Sequence, residues 1–549
     1  MPWITLIAGL HTLVIYKATG RSFVLTTVLY SLTYLLVWYS TFLTRTGVLG
    51  DTSVHAFTGE GKSIYWHLII VLGVLMAGII FLIARKWKSL PRVKTEEHIS
   101  SREFWMFVGS FVLLLSSAHI IIVTSIPIWS PVAKWISGKD VAPPANLVQH
   151  YNNIQVWVAV ATALLASSVL LMKFKKSDGR LLVRRFALLL GIAAIPTLII
   201  GFSEHIRAVQ YIIMLFAASF GLTASVYYAF FVQKGSLKKR GAALTHFGFA
   251  TILIGLLLSS YNKEVISLNT TGRGLFPIDQ KKPEQSMKEN GENVQMFRNV
   301  PMAMGEYYVT YIGDSVIANE DKFLYKIRFE RRDSATKKVL ESFVLLPDAF
   351  INNKGEGNGI TYSANPAKKH YLSHDLFTYI TPTGDPRKRV DTAAYQPHTM
   401  HVGDTTFLAN GFLVLKALSQ QVKNAAYHPE TGDIAVAAQI SLFDSEGALT
   451  RELNPVFFIR SNTAGGVEDT ARDAGLYTRF SNLLPDQNAA VIETRQTSPK
   501  DDFIVLKAMI FPHINVLALG IIIMIGGFLL SLFNRLTKKG KPVVAMDVM

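Results

Sequence analysis

The 549-residue chain contains no cysteine. It can therefore form no disulfide, thiolate metal site or thiol nucleophile, and any thiol chemistry must come from another molecule. Charge is also scarce: only 17% of residues are Asp, Glu, Lys or Arg, against 50% hydrophobic. That balance excludes an ordinary soluble enzyme. No P-loop, GxSxG elbow or GxGxxG after a strand occurs, so nucleotide and hydrolase readings lack support. No repeat of 20–50 residues and no low-complexity tract is present. The opening "MPWITLIAGLHTLVIY" has neither a basic n-region nor a cleavage site, and does not read as a signal peptide.

What is abundant is the long apolar run. Nine are read as spans, at 2–16, 22–43, 65–84, 104–128, 154–172, 182–202, 208–232, 241–261 and 511–533. A span needs about 20 apolar residues at 1.5 Å per residue, so the first run is short. The biological polypeptide is accordingly expected to continue upstream of Met1. The net charge of +16 could suggest nucleic acid, but most of it falls in short loops between spans. Loops on one side carry 22 Lys and Arg, including Lys17, the Arg85–Arg102 and Lys173–Arg185 segments, Arg240 and Arg535. Short loops on the other side carry five: Arg45, Lys62, Lys134, Lys139 and Arg207. The positive-inside rule makes the first side cytoplasmic, and the C-terminus with it.

Residues 262–508 are a polar insert between the last two spans and so fall outside. "DKFLYKIRFERR", "AVAAQISLFD" and "DDFIVLKAMIF" alternate apolar and polar residues, the period of a half-buried strand, with turns such as "NNKGEGNG" between. The expected architecture is a polytopic α-helical membrane protein of about nine spans with a β-rich extracytoplasmic domain inserted before the last. Its parts are a helical bundle with its loops (1–261), a β-rich domain (262–508), a last span (509–534) and a basic cytoplasmic tail (535–549).

Histidines are the remaining candidates for chemistry. His11 lies six residues before Lys17, and His246 six residues after Arg240, on spans that run in opposite directions. Both imidazoles then sit at one depth, ~9 Å from the basic boundary. Two histidines at matched depth are what axial ligation of one iron requires. Small neighbours (Ala8 and Gly9 against Ala242, Ala243 and Gly248) would allow helices or a flat macrocycle to approach. The competing reading is that each imidazole hydrogen-bonds a neighbouring helix. His119 lacks a depth-matched partner and reads as packing, and His67 beside Trp66 as interfacial belt. His398 and His401 read as a surface pair rather than a zinc site. Glu204, His205 and Arg207 read as a solvated cap. His55 stands apart, in the loop "LTRTGVLGDTSVHAFTGEG" beyond the membrane.

That loop resembles a stretch of the CcmF/NrfE-type cytochrome c haem lyases, as do "MPWITLIAGLHT", "RGAALTHFGFATILIGL", "SREFWMFVGSFVLLL", "HYLSHDLFTYIT" and "PHINVLALGIIIMIGGFLLSL". The resemblance implies that His11 and His246 are axial ligands of a membrane haem b, and that His55 ligates the haem being attached. It implies a haem lyase (cytochrome c synthase-type) component in the bacterial inner membrane, with its large domain in the periplasm. The partners implied are apocytochrome c with its CxxCH thiols, the haem chaperone CcmE, a CcmH-type thiol partner and quinol as electron source, besides membrane lipid; nucleic acid is not among them. The family's tryptophan-rich WWD segment is expected upstream of Met1, making this a C-terminal portion. His374 in "SHDLF" stands where many relatives carry an arginine-like residue. The alternatives are a haem or small-molecule transporter, whose usual signs are inverted repeats and midplane charges, and a noncatalytic assembly scaffold.

Overall fold

The computed structural model describes residues 1–46, 48–49, 62–91, 98–139, 141–144, 146–233, 240–271, 274–280, 283–317, 322–352, 361–381, 394–408, 411–444, 447–471, 474–496 and 503–537. The N-terminal half holds the helices α1 (Pro2–Thr19), α2 (Phe23–Arg45), α3 (Lys62–Lys86), α4 (Arg102–Thr124), α5 (Ile126–Ser137), α6 (Leu147–Leu171), α7 (Gly179–Ser203), α8 (Val209–Tyr227) and α9 (Gly241–Tyr261). A short α10 (Pro283–Glu292) lies within the insert, and α11 (Ile514–Thr537) closes the described chain. Eight of these helices are long and apolar enough to cross a membrane; α1 is not among them. Helices suit that medium because every backbone polar group is satisfied within the segment. The protein is a polytopic α-helical membrane protein with a β-rich domain before its last span.

Two boundaries differ from the sequence reading in ways that matter. The run 104–128 is cut at Ser125, because Pro127 has no N–H to continue a helix and instead opens the first turn of α5. The next helix, α6, begins at Leu147 rather than at 154, its first turn capped by the Asn146 side chain, which accepts from the Gln149 N–H at 3.0 Å. Its first turns are polar, with Gln149, His150, Asn152 and Asn153.

A glycine seam sets the bundle's tightest contact. Gly241, Gly248 and Gly255 of α9 recur every seven residues, on one face, and meet Gly520 and Gly527 of α11. A Cβ on Gly248 would lie 2.8 Å from the Gly520 carbonyl oxygen and from the Met524 Cα, so only glycine lets these backbones touch. Of the small residues expected to let α1 and α9 or a macrocycle approach, Ala242 lines the cavity, but the two glycines serve other neighbours. Gly248 faces α11, whereas Gly9 faces Tyr30 and Leu29 of α2.

In the insert the strands 322–332, 434–443 and 503–512 form where alternation predicts them. Strands of residues 264–381 and 503–512 make two sheets packed around Tyr307, Tyr311, Phe323, Phe329, Leu376 and Leu506. Strands of residues 396–496 make two further sheets around their own core of Met400, Leu413, Ile440, Phe480 and Ile492. The second unit is inserted between strands 374–381 and 503–512 of the first, which pair from His374 with Pro512 to Thr381 with Val505. Directly after α9, Glu264 and Val265 pair with Ile510 and Met509, directly before α11. The helix pair thus continues as a strand pair, and the β domain leaves and rejoins the bundle at one place.

Candidate functional site

Helical periodicity puts five helices around one cavity. Ile4, Ile7, His11 and Val14 of α1 share one stripe, as do Ala242, Thr245, His246 and Phe249 of α9. Gly109 and Leu113 of α4, Leu165 and Ala166 of α6, and Met524 and Phe528 of α11 complete the wall. His246 precedes Gly248 by two residues, about 200° around the helix. The glycine seam to α11 and the imidazole therefore occupy opposite faces of α9. The helix α1 packs on α2 and α4, and α9 on α8 and α11, so the two histidine-bearing helices are separated by the cavity. Its volume is about 390 Å³, within the roughly 300–1,000 Å³ of ligand pockets.

The His11 and His246 ring centres are 6.3 Å apart, with planes inclined at 64°. His11 Nδ1 lies 2.8 Å from the Ile7 carbonyl oxygen. A carbonyl can only accept, so Nδ1 carries the proton and Nε2 keeps its lone pair for a ligand. His246 makes no hydrogen bond among the described residues; its contact is the His11 ring. Two imidazoles that bind one metal from opposite sides hold their ring centres roughly 6 Å apart, from two bonds of ~2.0–2.1 Å plus half a ring each. The donor set, the separation and the apolar walls all fit an iron macrocycle between the two rings. Two arginines, Arg102 of α4 and Arg535 of α11, line the basic end of the same cavity.

The remaining candidates fall elsewhere. His55 lies outside the described residues. His119 has a partner that the sequence reading missed: its Nε2 is 3.2 Å from His150 Nε2, and its Nδ1 3.2 Å from Gln155 Nε2. Ser116 donates to Gln155 Oε1 at 2.7 Å, which leaves the amide N–H to donate to His119 Nδ1. His119 then donates from Nε2 to His150. The signal was available in "NLVQHYNNIQVW", had the asparagine cap at 146 been placed. Glu204 accepts from Asn262 Nδ2 at 2.5 Å and pairs with His513 Nε2 at 3.3 Å, so within the expected solvated cap Glu204 instead ties the α7–α8 loop to the end of α9 and the start of α11. His374 stacks on Tyr371, and His398 and His401 bond Thr494 and Asp404 separately. Among the described residues no group of three or more His, Asp or Glu could hold a metal ion.

Comparison with known proteins follows the same line. No family model matches the chain. It is 28% identical over 278 residues to the "Cytochrome c-type biogenesis protein CcmF" of Pseudomonas fluorescens, covering 48% of this chain and 40% of that protein. The "Cytochrome c-type biogenesis protein NrfE" of Haemophilus influenzae is 24% identical over 279 residues, covering 48% and 40%. The CcmF of Escherichia coli is 25% identical over 271 residues, covering 47% and 39%. Among solved structures, a "Cytochrome c Heme Lyase CcmF" superimposes with a TM-score of 0.43 at 14% identity, over 69% of this chain and 52% of that one. The chain is thus similar to CcmF and NrfE-type proteins, as its motifs have it. It matches about two fifths of the length of the curated relatives.

Proposed function

We propose that this protein is a haem-handling component of cytochrome c maturation, a CcmF/NrfE-type haem lyase subunit that assists thioether attachment of haem to apocytochrome c. The observation that carries the reading is the facing pair His11 and His246 across an apolar cavity, with His11 held in the tautomer that leaves Nε2 free. These two residues would hold a haem b, which supplies one-electron chemistry when bound. The residues around it do the rest. Ile7 fixes the His11 ring, the walls of α4 and α6 exclude water, and the α9–α11 seam holds His246 in place. His55 would ligate the substrate haem outside the membrane. The absence of cysteine suits this role, because the thiols that add across the haem vinyl groups belong to the apocytochrome and its reducing partners.

Charge asymmetry between the loops supports an inner-membrane orientation with the β domain in the periplasm and the C-terminus in the cytoplasm. CcmE, a CcmH-type protein and quinol follow as partners from the similarity to CcmF. The test is the pyridine haemochrome of detergent-purified protein. Wild type should show a low-spin b-type haem that is lost in His11→Ala and in His246→Ala alike, since a single axial ligand leaves the haem easily removed. Retention of the wild-type spectrum in both variants would refute the site. His55→Ala should keep that spectrum yet abolish holo-cytochrome formation in a strain supplying the rest of the system, with partial rescue by imidazole. Unimpaired haem-stained cytochrome there would leave His55 a loop hydrogen-bonder.

A further inference from the structure

The cavity is amphipathic along its length. Near the histidines its walls are aliphatic and aromatic, whereas its basic end carries the guanidiniums of Arg102 and Arg535. Basic residues are ordinary at this cytoplasmic boundary, but a guanidinium nitrogen buried there without a partner calls for an explanation.

Arg102 is not paired with a carboxylate among the described residues. Its Nε is buried without a hydrogen-bond partner. Its Nη1 reaches only the Tyr228 hydroxyl, at 3.5 Å, and its charge lies over the Phe174 and Tyr228 rings at 5.3 and 5.5 Å. The adjacent carboxylate, Glu103, makes no ion pair with it; both Glu103 oxygens face the Lys175 backbone N–H, at 2.8 and 3.0 Å. Arg102 lines the same cavity as both imidazoles. Arg535, on the exposed flank of α11, likewise has no ion-pair partner among the described residues.

We infer that Arg102, assisted by Arg535, is a carboxylate-binding subsite that fixes which way round a flat dicarboxylate macrocycle sits between His11 and His246. The inference rests on the haem reading above and extends it to the edge of the ring. Guanidinium is the side chain whose planar donors match a carboxylate in two parallel bonds. Aromatic faces beneath Arg102 keep the fork oriented before the anion arrives. Binding the acidic edge at the basic end leaves the apolar edge of the ring among aliphatic walls, so one of the two orientations is disfavoured by burial of carboxylates and by unpaired arginine together.

The experiment titrates the full purified chain in detergent with iron protoporphyrin IX and, separately, with its dimethyl ester, which lacks the carboxylate charges. Binding is read from the low-spin bis-imidazole spectrum. Wild type should bind the diacid more tightly than the ester by roughly tenfold to a hundredfold, the worth of charge-assisted hydrogen bonds. Arg102→Gln should erase that preference by weakening the diacid alone, Arg102→Lys should keep part of it, and Arg535→Gln should reduce it less. Equal affinity of wild type for both compounds, or equal weakening of both by Arg102→Gln, would overturn the subsite while leaving the two-histidine site standing. Absence of a low-spin spectrum with either compound would remove the haem reading and the subsite with it.

Discussion

Histidines in the two halves of this molecule live under different rules. In the β domain four have a polar neighbour: His370 Nδ1 lies 2.8 Å from Asp375, His398 Nε2 2.9 Å from Thr494 Oγ1, His401 Nδ1 3.1 Å from Asp404, and His374 Nδ1 3.0 Å from Ser373 Oγ, although His374 Nε2 is buried without a partner. In the bundle, where carboxylates are scarce, His119 finds a second histidine and a glutamine, and His11 a backbone carbonyl, while His246 finds no hydrogen bond at all among the described residues. An imidazole nitrogen without a hydrogen bond in an apolar cavity is available to a ligand, whereas one that bonds a neighbouring threonine is already satisfied. Simple hydrogen bonding thus accounts for His370, His398, His401 and His119, but not for His246 at the cavity.

The sharpest way to break that contrast is to disturb the seam behind His246. Gly248→Leu should drive α9 from α11, cost upward of about 3 kcal/mol and abolish haem binding, seen as loss of monodisperse protein and of the haemochrome. A protein that tolerates leucine there would show that the seam does not hold the site. Next in size, His246→Ala should empty the haem while His398→Ala and His401→Ala leave haem per protein unchanged. Equal losses from the β-domain variants would erase the distinction between the halves.

A smaller effect is expected at the second histidine pair. His119→Leu leaves Gln155 and His150 each short of a partner, so it should cost roughly 1–3 kcal/mol in thermal denaturation and leave the haem spectrum intact. A shifted spectrum would instead couple that cluster to the cavity.

The smallest effect concerns pH. In the β domain the Arg460 guanidinium holds the Asp433 carboxyl well below the usual carboxylate range, with bonds of 2.7 and 2.9 Å to its two oxygens. A lowered carboxyl pKa contributes stability that is present above the unfolded value and lost as pH falls through the folded one. Arg460→Gln should therefore be less stable than wild type at neutral pH, and the difference should shrink once pH drops below roughly 4. A difference independent of pH would assign Arg460 a packing role over Phe458 only.

Much of this architecture follows from the sequence alone. Apolar runs of span length fix the helices, because a bilayer leaves the backbone no other partner. The alternation in "DKFLYKIRFERR" fixes a strand, because a half-buried sheet has period two. Spacing from Lys17 and Arg240 even puts His11 and His246 at one depth, since rise per residue is constant in a helix.

Tertiary structure alone decided which faces meet. Depth matching does not say that α1 and α9 flank one cavity; that depends on Gly241, Gly248 and Gly255 turning one side of α9 to α11 and leaving His246 on the other. The Asn146 cap is a local signal that starts α6 at Leu147, but that His150 meets His119 depends on α4 packing against α6. Arg102, one of 55 basic residues and a topology signal when read in order, becomes a candidate ligand-binding group only because the folded bundle places its guanidinium at the cavity without a carboxylate. Composition and period act through the solvent that each segment meets, and so are written locally. Pairing of distant side chains depends on how the helices rotate against one another, and that is settled only when the whole bundle packs.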